Sequence, residues 1–325
     1  MREIQISIII PAYNAENYIG RALKSILVNP IETIEILVIN DGSTDKTLQI
    51  VESIKAIDAR VRILTTENRG VSAARNYGME NAEGKYLMFL DADDEIIPEG
   101  FARAVEITKV YEKDVIIFPY YVNNKRGDSE RLVNPFSNGE ILIEEFCKCI
   151  VESTYMNFCW GKLFKREFLC KNNVAFEVGR RIGEDVLFQI EMTRKNPSLY
   201  YDDTVLVRYF QVPTSVMHQY GMERFQYLVD DFKMRMDLAD RIELNERSNL
   251  YYDVGTNLLS YVKHMSKNKN CRNAFLELKS VFRDKNLVEI IENYPIYKAN
   301  IPKKIICILI RKKLYFLTVV ILHFL

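Results

Sequence analysis

The sequence predicts an α/β protein: a mainly parallel sheet flanked by helices, followed by a C-terminal helical region. Three observations carry that expectation. Between residues 1 and 120, runs of β-branched residues that are apolar on both faces alternate with segments of helical spacing, the pattern of strands covered on both sides. The 325 residues, 48% hydrophobic and 27% charged, suit a globular chain of about two domains of roughly 150 residues each. Beyond Pro213, strand-like runs give way to long helical stripes.

The elements follow in order. Ile4–Ile10 is a β-branched strand, turned by Pro11-Ala12-Tyr13-Asn14, and Tyr18, Ile19, Ala22, Leu23, Ile26 and Leu27 recur at helical spacing. Ile34–Ile39 is a second strand; it runs into Asn40-Asp41-Gly42-Ser43-Thr44-Asp45, where glycine turns the chain and a hydroxyl caps the next helix. Val61–Leu64 is a third strand, Val71–Asn81 a helix, and Lys85–Leu90 a fourth strand ending at Asp91-Ala92-Asp93-Asp94. A helix begins after Pro98, and Asp114–Phe118 is a fifth strand. Residues 121–215 are mixed: a polar stretch Asn123–Arg131, helices expected over Ile143–Val151 and Val186–Arg194, the run Cys159–Phe164 without an assigned element, and a strand over Val205–Phe210. Phe225, Leu228, Phe232, Met236 and Ala239 share one helical face, and Val254, Leu258, Tyr261 and Met265 another. Domain boundaries are expected at 1–215, 216–302 and 303–325.

Composition narrows the function. Lys plus Arg and Asp plus Glu both number 44, so no global basic field exists to hold nucleic acid, which is not an expected partner. The six cysteines lack Cys-x-x-Cys pairs, and with three histidines a zinc cage is not expected; reduced thiols in a cytoplasm are. Neither Gly-x-Gly-x-x-Gly nor Gly-x-x-x-x-Gly-Lys occurs. Asn14, Asp41, Glu67 to Gly70 and Asp91 to Asp94 instead all follow strands, so four loops should meet at the carboxyl edge of the sheet, where open α/β folds bind ligands. On an extended strand end Asp91 and Asp93 would point the same way and present two carboxylates to a hard cation; a loop with a helix cap is the alternative reading. With Asp94 and Asp41 at the same edge, a nucleotide diphosphate site is expected.

Four ordered blocks, Ser7–Asn14, Val38–Asp45, Asn68–Gly78 and Phe89–Asp94, resemble the family 2 glycosyltransferases. The resemblance implies a GT-A Rossmann-like fold and inverting transfer of a sugar from a nucleotide diphosphate sugar, usually a UDP-sugar, with Mn²⁺ or Mg²⁺ at Asp-x-Asp. By position, Pro11, Ala12, Tyr13 and Asn14 would border the base and Asp41 would bond base or ribose. Asp91 and Ala92 would meet the ribose, and Asp91 and Asp93 the metal. Arg75 would contact the nucleotide, with a salt bridge as its plain alternative. Glu184-Asp185 matches the family's Glu-Asp pair, with Asp185 as base; the alternative is a helix cap. Trp160 would stack on a sugar or sit in the core. His218 would add a metal ligand, a phosphate contact, or an ordinary hydrogen bond.

From Lys298 to Leu325 there are six basic residues and no acidic one, which leaves the rest of the chain net acidic. The apolar runs Ile305–Ile310 and Leu314–Leu322 are each shorter than the ~20 residues that span a bilayer. The tail is expected either as an interfacial helix on anionic lipid or as a helix packed on the protein. The expected partners are a nucleotide-sugar donor, a glycan or lipid-linked saccharide acceptor and, through the tail, the membrane surface. The expected location is the cytoplasm or the inner face of the membrane, in surface polysaccharide synthesis. A nucleotidyltransferase making nucleotide sugars, or a non-catalytic nucleotide-sugar or glycan-binding subunit, stands as the alternative.

Overall fold

The apolar run Ile6–Ala12 forms β1, which is buried along nearly its whole length between two parallel neighbours, β2 (Ile34–Asp41) and β4 (Tyr86–Phe89). β3 (Val61–Thr66) extends the parallel set beyond β2. The strand therefore runs two residues past Ile10, and Pro11 and Ala12 are part of the ladder rather than of a turn. The computed structural model describes residues 3–123, 130–153, 156–180, 182–211 and 223–324.

Helices α1 (Ile19–Leu27), α2 (Thr47–Lys55) and α3 (Val71–Asn81) connect these strands. A glycine brings α3 close to the sheet: a Cβ on Gly78 would meet Ile9 Cγ2 at 2.4 Å. One helical turn earlier, Arg75 is thereby held near the carboxyl edge.

After β5 (Glu95–Ile96) and α4 (Pro98–Val110), β6 (Val115–Ile117) returns to the main sheet. The chain continues through β7 (Tyr120–Asn123), β8 (Glu130–Val133), β9 (Gly139–Ile141) and α5 (Ile143–Glu152). The period-less run around Trp160 supplies β10 (Lys162–Lys165), followed by α6 (Arg166–Lys171), α7 (Glu184–Thr193), β11 (Leu199–Tyr201) and β12 (Val207–Phe210). Among the described residues the main sheet has eight strands in the order β3-β2-β1-β4-β10-β6-β11-β9. Four of its ladders are parallel, and β10 enters antiparallel between β4 and β6. A second, smaller sheet, β5-β12-β7-β8, pairs strands far apart in sequence.

Two compact units result: residues 1–146 with 157–215, and residues 147–156 with 216–325. The second is helical, with α8 (Glu223–Arg241), α9 (Ser248–Asn268), α10 (Cys271–Val281), α11 (Lys285–Asn293), α12 (Ile301–Arg311) and α13 (Tyr315–Phe324). Residues 147–156 belong to it for a definite reason. Fully buried Arg235 donates to Asp231 (2.7 Å), Asp253 (2.8 Å) and the carbonyl of Val151 (3.2 Å), and a buried cation requires such partners. The basic, apolar tail forms α12 and α13, which pack on α9, α10 and α11 through Ile306, Cys307, Ile310, Val319 and Leu322. Among the described residues no helix is long and apolar enough to cross a membrane.

Candidate active site

Because β1, β2 and β4 are mutually parallel, the loops that follow them lie at one edge. Asn14, with φ of +49°, receives Thr44 N–H on Oδ1 at 2.9 Å, and its own N–H donates to Ser43 Oγ at 3.1 Å. Thr47 Oγ1 and Asp45 accept the next two backbone N–H groups, from Ala15 and Glu16. The loop after β1 is thus stitched to the loop after β2, while Pro11 and Ala12 lie beneath it and the Tyr13 ring stands half-exposed above. Asp41 is buried at the end of β2. Its Oδ1 accepts Arg69 N–H and its Oδ2 accepts Gly70 N–H, both at 2.9 Å, and Thr66 Oγ1 donates at 3.2 Å. The carboxylate that family position assigns to base or ribose therefore also fixes the loop into α3, where Gly70 adopts φ of +88°.

Asp91 to Asp94 do not continue the strand. Asp94 N–H closes a turn on Asp91 C=O at 3.1 Å, so the extended-strand argument for aiming Asp91 and Asp93 together fails. The turn gathers the carboxylates by another route. Burial, then the charge of Asp91, pushes Asp93 up to about 6. Asp94 is fully buried and raised in turn by burial, Asp91 and Asp93; Phe210 N–H binds its Oδ1 at 2.9 Å, and its Oδ2 has no partner. Arg21 reaches the Asp93 carbonyl at 2.5 Å.

Arg75 joins this turn to the Glu-Asp pair. Its side chain is 3% exposed, its Nη2 donates to Asp91 at 2.9 Å, and its Nη1 donates to Glu184 at 3.1 Å and Asp185 at 2.5 Å. Burial opposes the charge, but Asp185 and its neighbours hold the guanidinium firmly protonated. Glu184 and Asp185 open α7, whose preceding Gly183 lies at φ of +76°. Burial, then Asp185, raises Glu184 to about 7 against the pull of Arg75; burial likewise raises Asp185 against the same cation. Asp185 Oδ2 also accepts Cys159 N–H at 3.3 Å. That segment is fixed by a bridge from Trp160 to Phe89 and by Phe118 N–H on Gly161 C=O.

Trp160 resolves to the core reading: it is 2% exposed, stacked on Phe158 and Tyr209 and edge-on to Tyr120, so no face is open to a sugar. Tyr209, raised to about 12 by burial and then by Asp94, Asp91 and Asp93, stands close to the acidic turn. Sequence reasoning missed Tyr209, Arg21 and Cys159; they sit in β12, α1 and an unpatterned run, and carry no motif. His218 lies outside the described residues.

A divalent cation fits the donors at the turn. Among the described residues no three His, Cys, Asp or Glu side chains form a ready cage, but magnesium-type ions need only one or two protein carboxylates when substrate phosphates complete the shell. Asp91 and Asp93 supply two, and the partnerless Asp94 oxygen adds buried negative charge behind them.

The family profile described as "Glycosyl transferase family 2" matches residues 7–177, more than half of the chain. The chain belongs to the family 2 glycosyltransferases. The matched span of this glycosyltransferase contains the Asp91 turn and Arg75 and stops just short of Glu184. Similar curated proteins include glycosyltransferase GlyA of Streptococcus pneumoniae serotype 4, 30% identical over 245 residues, 72% of this chain and 34% of that one. EpsJ of Bacillus subtilis, an uncharacterized glycosyltransferase, is 30% identical over 65% of this chain and 62% of its own, and the B. subtilis minor teichoic acid biosynthesis protein GgaA is 28% identical over 71% and 53%. The chain thus spans about a third of GlyA and just under two thirds of EpsJ. Among solved structures, Staphylococcus aureus TarS 1–349 in complex with UDP-GlcNAc aligns with a TM-score of 0.61 and 19% identity, covering 98% of this chain and 90% of that one. That likeness establishes the shared GT-A fold.

Proposed function

We propose that this glycosyltransferase moves a sugar from a nucleotide diphosphate sugar, a UDP-sugar, to a glycan or lipid-linked saccharide acceptor, with inversion and with a divalent cation, Mn²⁺ or Mg²⁺. Residues 1–215 carry donor binding and catalysis, and residues 216–302 are a helical accessory part. One observation carries the reading: a single buried guanidinium holds Asp91, Glu184 and Asp185 together, so the donor-side acid and the base belong to one site. The names of GgaA and of the TarS complex support surface polysaccharide synthesis and a UDP-sugar donor.

The acceptor hydroxyl oxygen attacks the anomeric carbon, its proton passes to Asp185, and the bond from that carbon to the diphosphate oxygen breaks, releasing the nucleotide diphosphate. Burial strengthens Asp185 as a base by raising it above an ordinary aspartate. A divalent cation would be held by Asp91 and Asp93, with His218 as a further ligand, and would supply stabilisation of the charge on the departing diphosphate. The loop of Pro11 to Asn14 and Ala92 border the nucleotide, and Asp41 fixes the loop beneath it. The tail, residues 303–325, would bring the protein to the inner face of a membrane carrying the acceptor.

The test pairs two variants, with UDP binding followed by calorimetry with and without Mn²⁺, and turnover by UDP release from a panel of UDP-sugars. Asp185→Asn should bind UDP as wild type does and lose turnover at least a hundredfold. Asp93→Ala should lose the Mn²⁺-dependent part of UDP affinity. Wild-type turnover in the first or unchanged Mn²⁺ dependence in the second overturns the corresponding role.

A further inference from the structure

The helical unit carries a surface that the chemistry of transfer does not use. α12 and α13 form a hairpin whose turn places Lys313 at φ of +57°, with Leu314 N–H on Leu309 C=O at 2.9 Å. Its inner face is packed, as described above. Its outer face is apolar where a surface in water should be polar: Ile301, Ile305 and Ile308 on α12 stand exposed at i, i+4 and i+7, and Phe316 and Leu317 on α13 are 59% and 45% exposed. Leu314 and two lysines, Lys312 and Lys313, are exposed at the corner. Lys304 and Lys312 fall on the isoleucine stripe of α12, and Lys313 on the Phe316 side of α13. Lys303, Lys304, Lys312 and Lys313 form no ion pair among the described residues. The other two basic residues are spent on hydrogen bonds: Arg311 on the carbonyls of Ile291 (2.8 Å) and Tyr294 (2.7 Å) at the end of α11, and Lys298 on Ser248 Oγ (3.2 Å) and Asn249 Oδ1 (2.7 Å).

We propose that this hairpin docks on an anionic lipid surface, with the exposed isoleucines, Leu314, Phe316 and Leu317 entering the headgroup boundary and the lysines meeting lipid phosphates. Apolar residues interleaved with basic ones are the composition of an interfacial helix, and each lysine near an anionic surface adds to binding. A second copy of this chain is disfavoured as the occupant. A two-fold contact sets the same patch against itself, and this patch carries only positive charge between Lys298 and Leu325. The inference gives a surface to the membrane part of the reading above and does not depend on the transfer chemistry, since vesicle binding is read without donor or acceptor.

The experiment is co-sedimentation of the full chain with vesicles of phosphatidylcholine alone or with a third phosphatidylglycerol. Wild type should pellet with the anionic vesicles and not with the neutral ones, and 0.5 M salt should release it. Lys304→Gln/Lys312→Gln/Lys313→Gln should weaken partition about fivefold per charge, on the order of a hundredfold together. Phe316→Ser/Leu317→Ser tests the apolar half separately and should also release the protein. Lys312, Lys313 and Leu317 are exposed, Lys304 is half-buried and Phe316 meets Phe275 edge-on, so unchanged helical circular dichroism with unchanged UDP affinity is required to confirm the fold of both variants. Absence of binding to both vesicle types, equal binding to both, or retention by the triple variant overturns the proposal. So does a dimer in solution that Phe316→Ser/Leu317→Ser converts to monomer, which would make this face a contact between copies. Failure here leaves the transfer reading intact, since that reading is tested on Asp93 and Asp185.

Discussion

Arg75→Met removes the cation at the centre of the site and keeps an unbranched apolar stem of similar reach. The guanidinium it deletes is 3% exposed and donates to Asp91, Glu184 and Asp185 at 2.9, 3.1 and 2.5 Å. Breaking a buried ion pair by removing one partner costs about 3–5 kcal/mol, because the other charge stays buried without compensation. For a domain of this size that lowers Tm on the order of 10 °C. The pH dependence has a definite sign. Burial already raises Asp185 and holds Glu184 at about 7, against an ordinary glutamate value of 4.5, while Arg75 pulls both down. Without Arg75 both climb further. An acid whose folded pKa exceeds its unfolded one stabilises the fold below the unfolded value, and that stability is lost as pH rises through the folded value. The deficit of the variant relative to wild type is therefore greatest above pH 7 and shrinks toward pH 5. Each extra proton the folded variant holds restores about 1.4 kcal/mol per pH unit. Thermal melts of both proteins from pH 5 to 8.5 measure this directly, with Arg75→Lys, which keeps the charge but loses the fork, falling between them. Two curves separated by the same interval at every pH, or no separation at all, would refute the claim that Arg75 neutralises the buried acids.

Two further variants probe how the fold positions the site. Asp41→Asn turns one of the two carboxylate oxygens into a donor facing a backbone N–H; the lost bond costs about 1–3 kcal/mol in melting experiments, and loosening of the loop into α3 should raise the donor KM with a smaller change in kcat. Gly78→Val forces α3 off Ile9 and Ile39, an overpacking cost of about 1–3 kcal/mol, and should lower kcat more than it raises the donor KM because Arg75 moves with the helix; unchanged kinetics would show that Arg75 is not set by this packing.

The parts of this molecule that could be read from sequence are those written in local periodicity. β1 to β4 and α3 emerge from continuous apolar runs and helical spacing because each is decided by its own residues and by burial on both sides. The position of the acidic turn at the carboxyl edge follows from strand order alone. What escaped is non-local or short. β5, β7 and β8 have two to four residues each, too few for a period, and β5 pairs with β12, itself legible as a strand, across more than a hundred residues. β10 was hidden because its segment enters antiparallel between two strands that run the other way. Asp91 and Asp93 stand just past the end of β4, where a turn and not an extended strand end gathers them. Arg75 is the sharpest case: its helix was legible, yet the two acids that decide its role lie more than a hundred residues further along the chain.

The electrostatics of this edge bear on how a donor can bind at all. Asp91, Asp93, Asp94, Glu184 and Asp185 share it with two guanidinium groups, and Arg75 is committed to three of the five while Arg21 meets the turn through a carbonyl. Protonation relieves part of the excess, which is why burial raises Asp93 to about 6 and Glu184 to about 7. A nucleotide diphosphate brings further negative charge into the same space, where the low dielectric magnifies repulsion. Moving Arg75 onto the diphosphate would strip Asp185 of its partner and leave two acids facing each other. The balance closes more readily if positive charge arrives with the donor at Asp91 and Asp93, leaving Arg75 to keep the base in place. On the proposed reading the fixed cation and a divalent cation would have separate duties: one would orient Asp185 through the whole cycle, and the other would serve the phosphate that comes and goes.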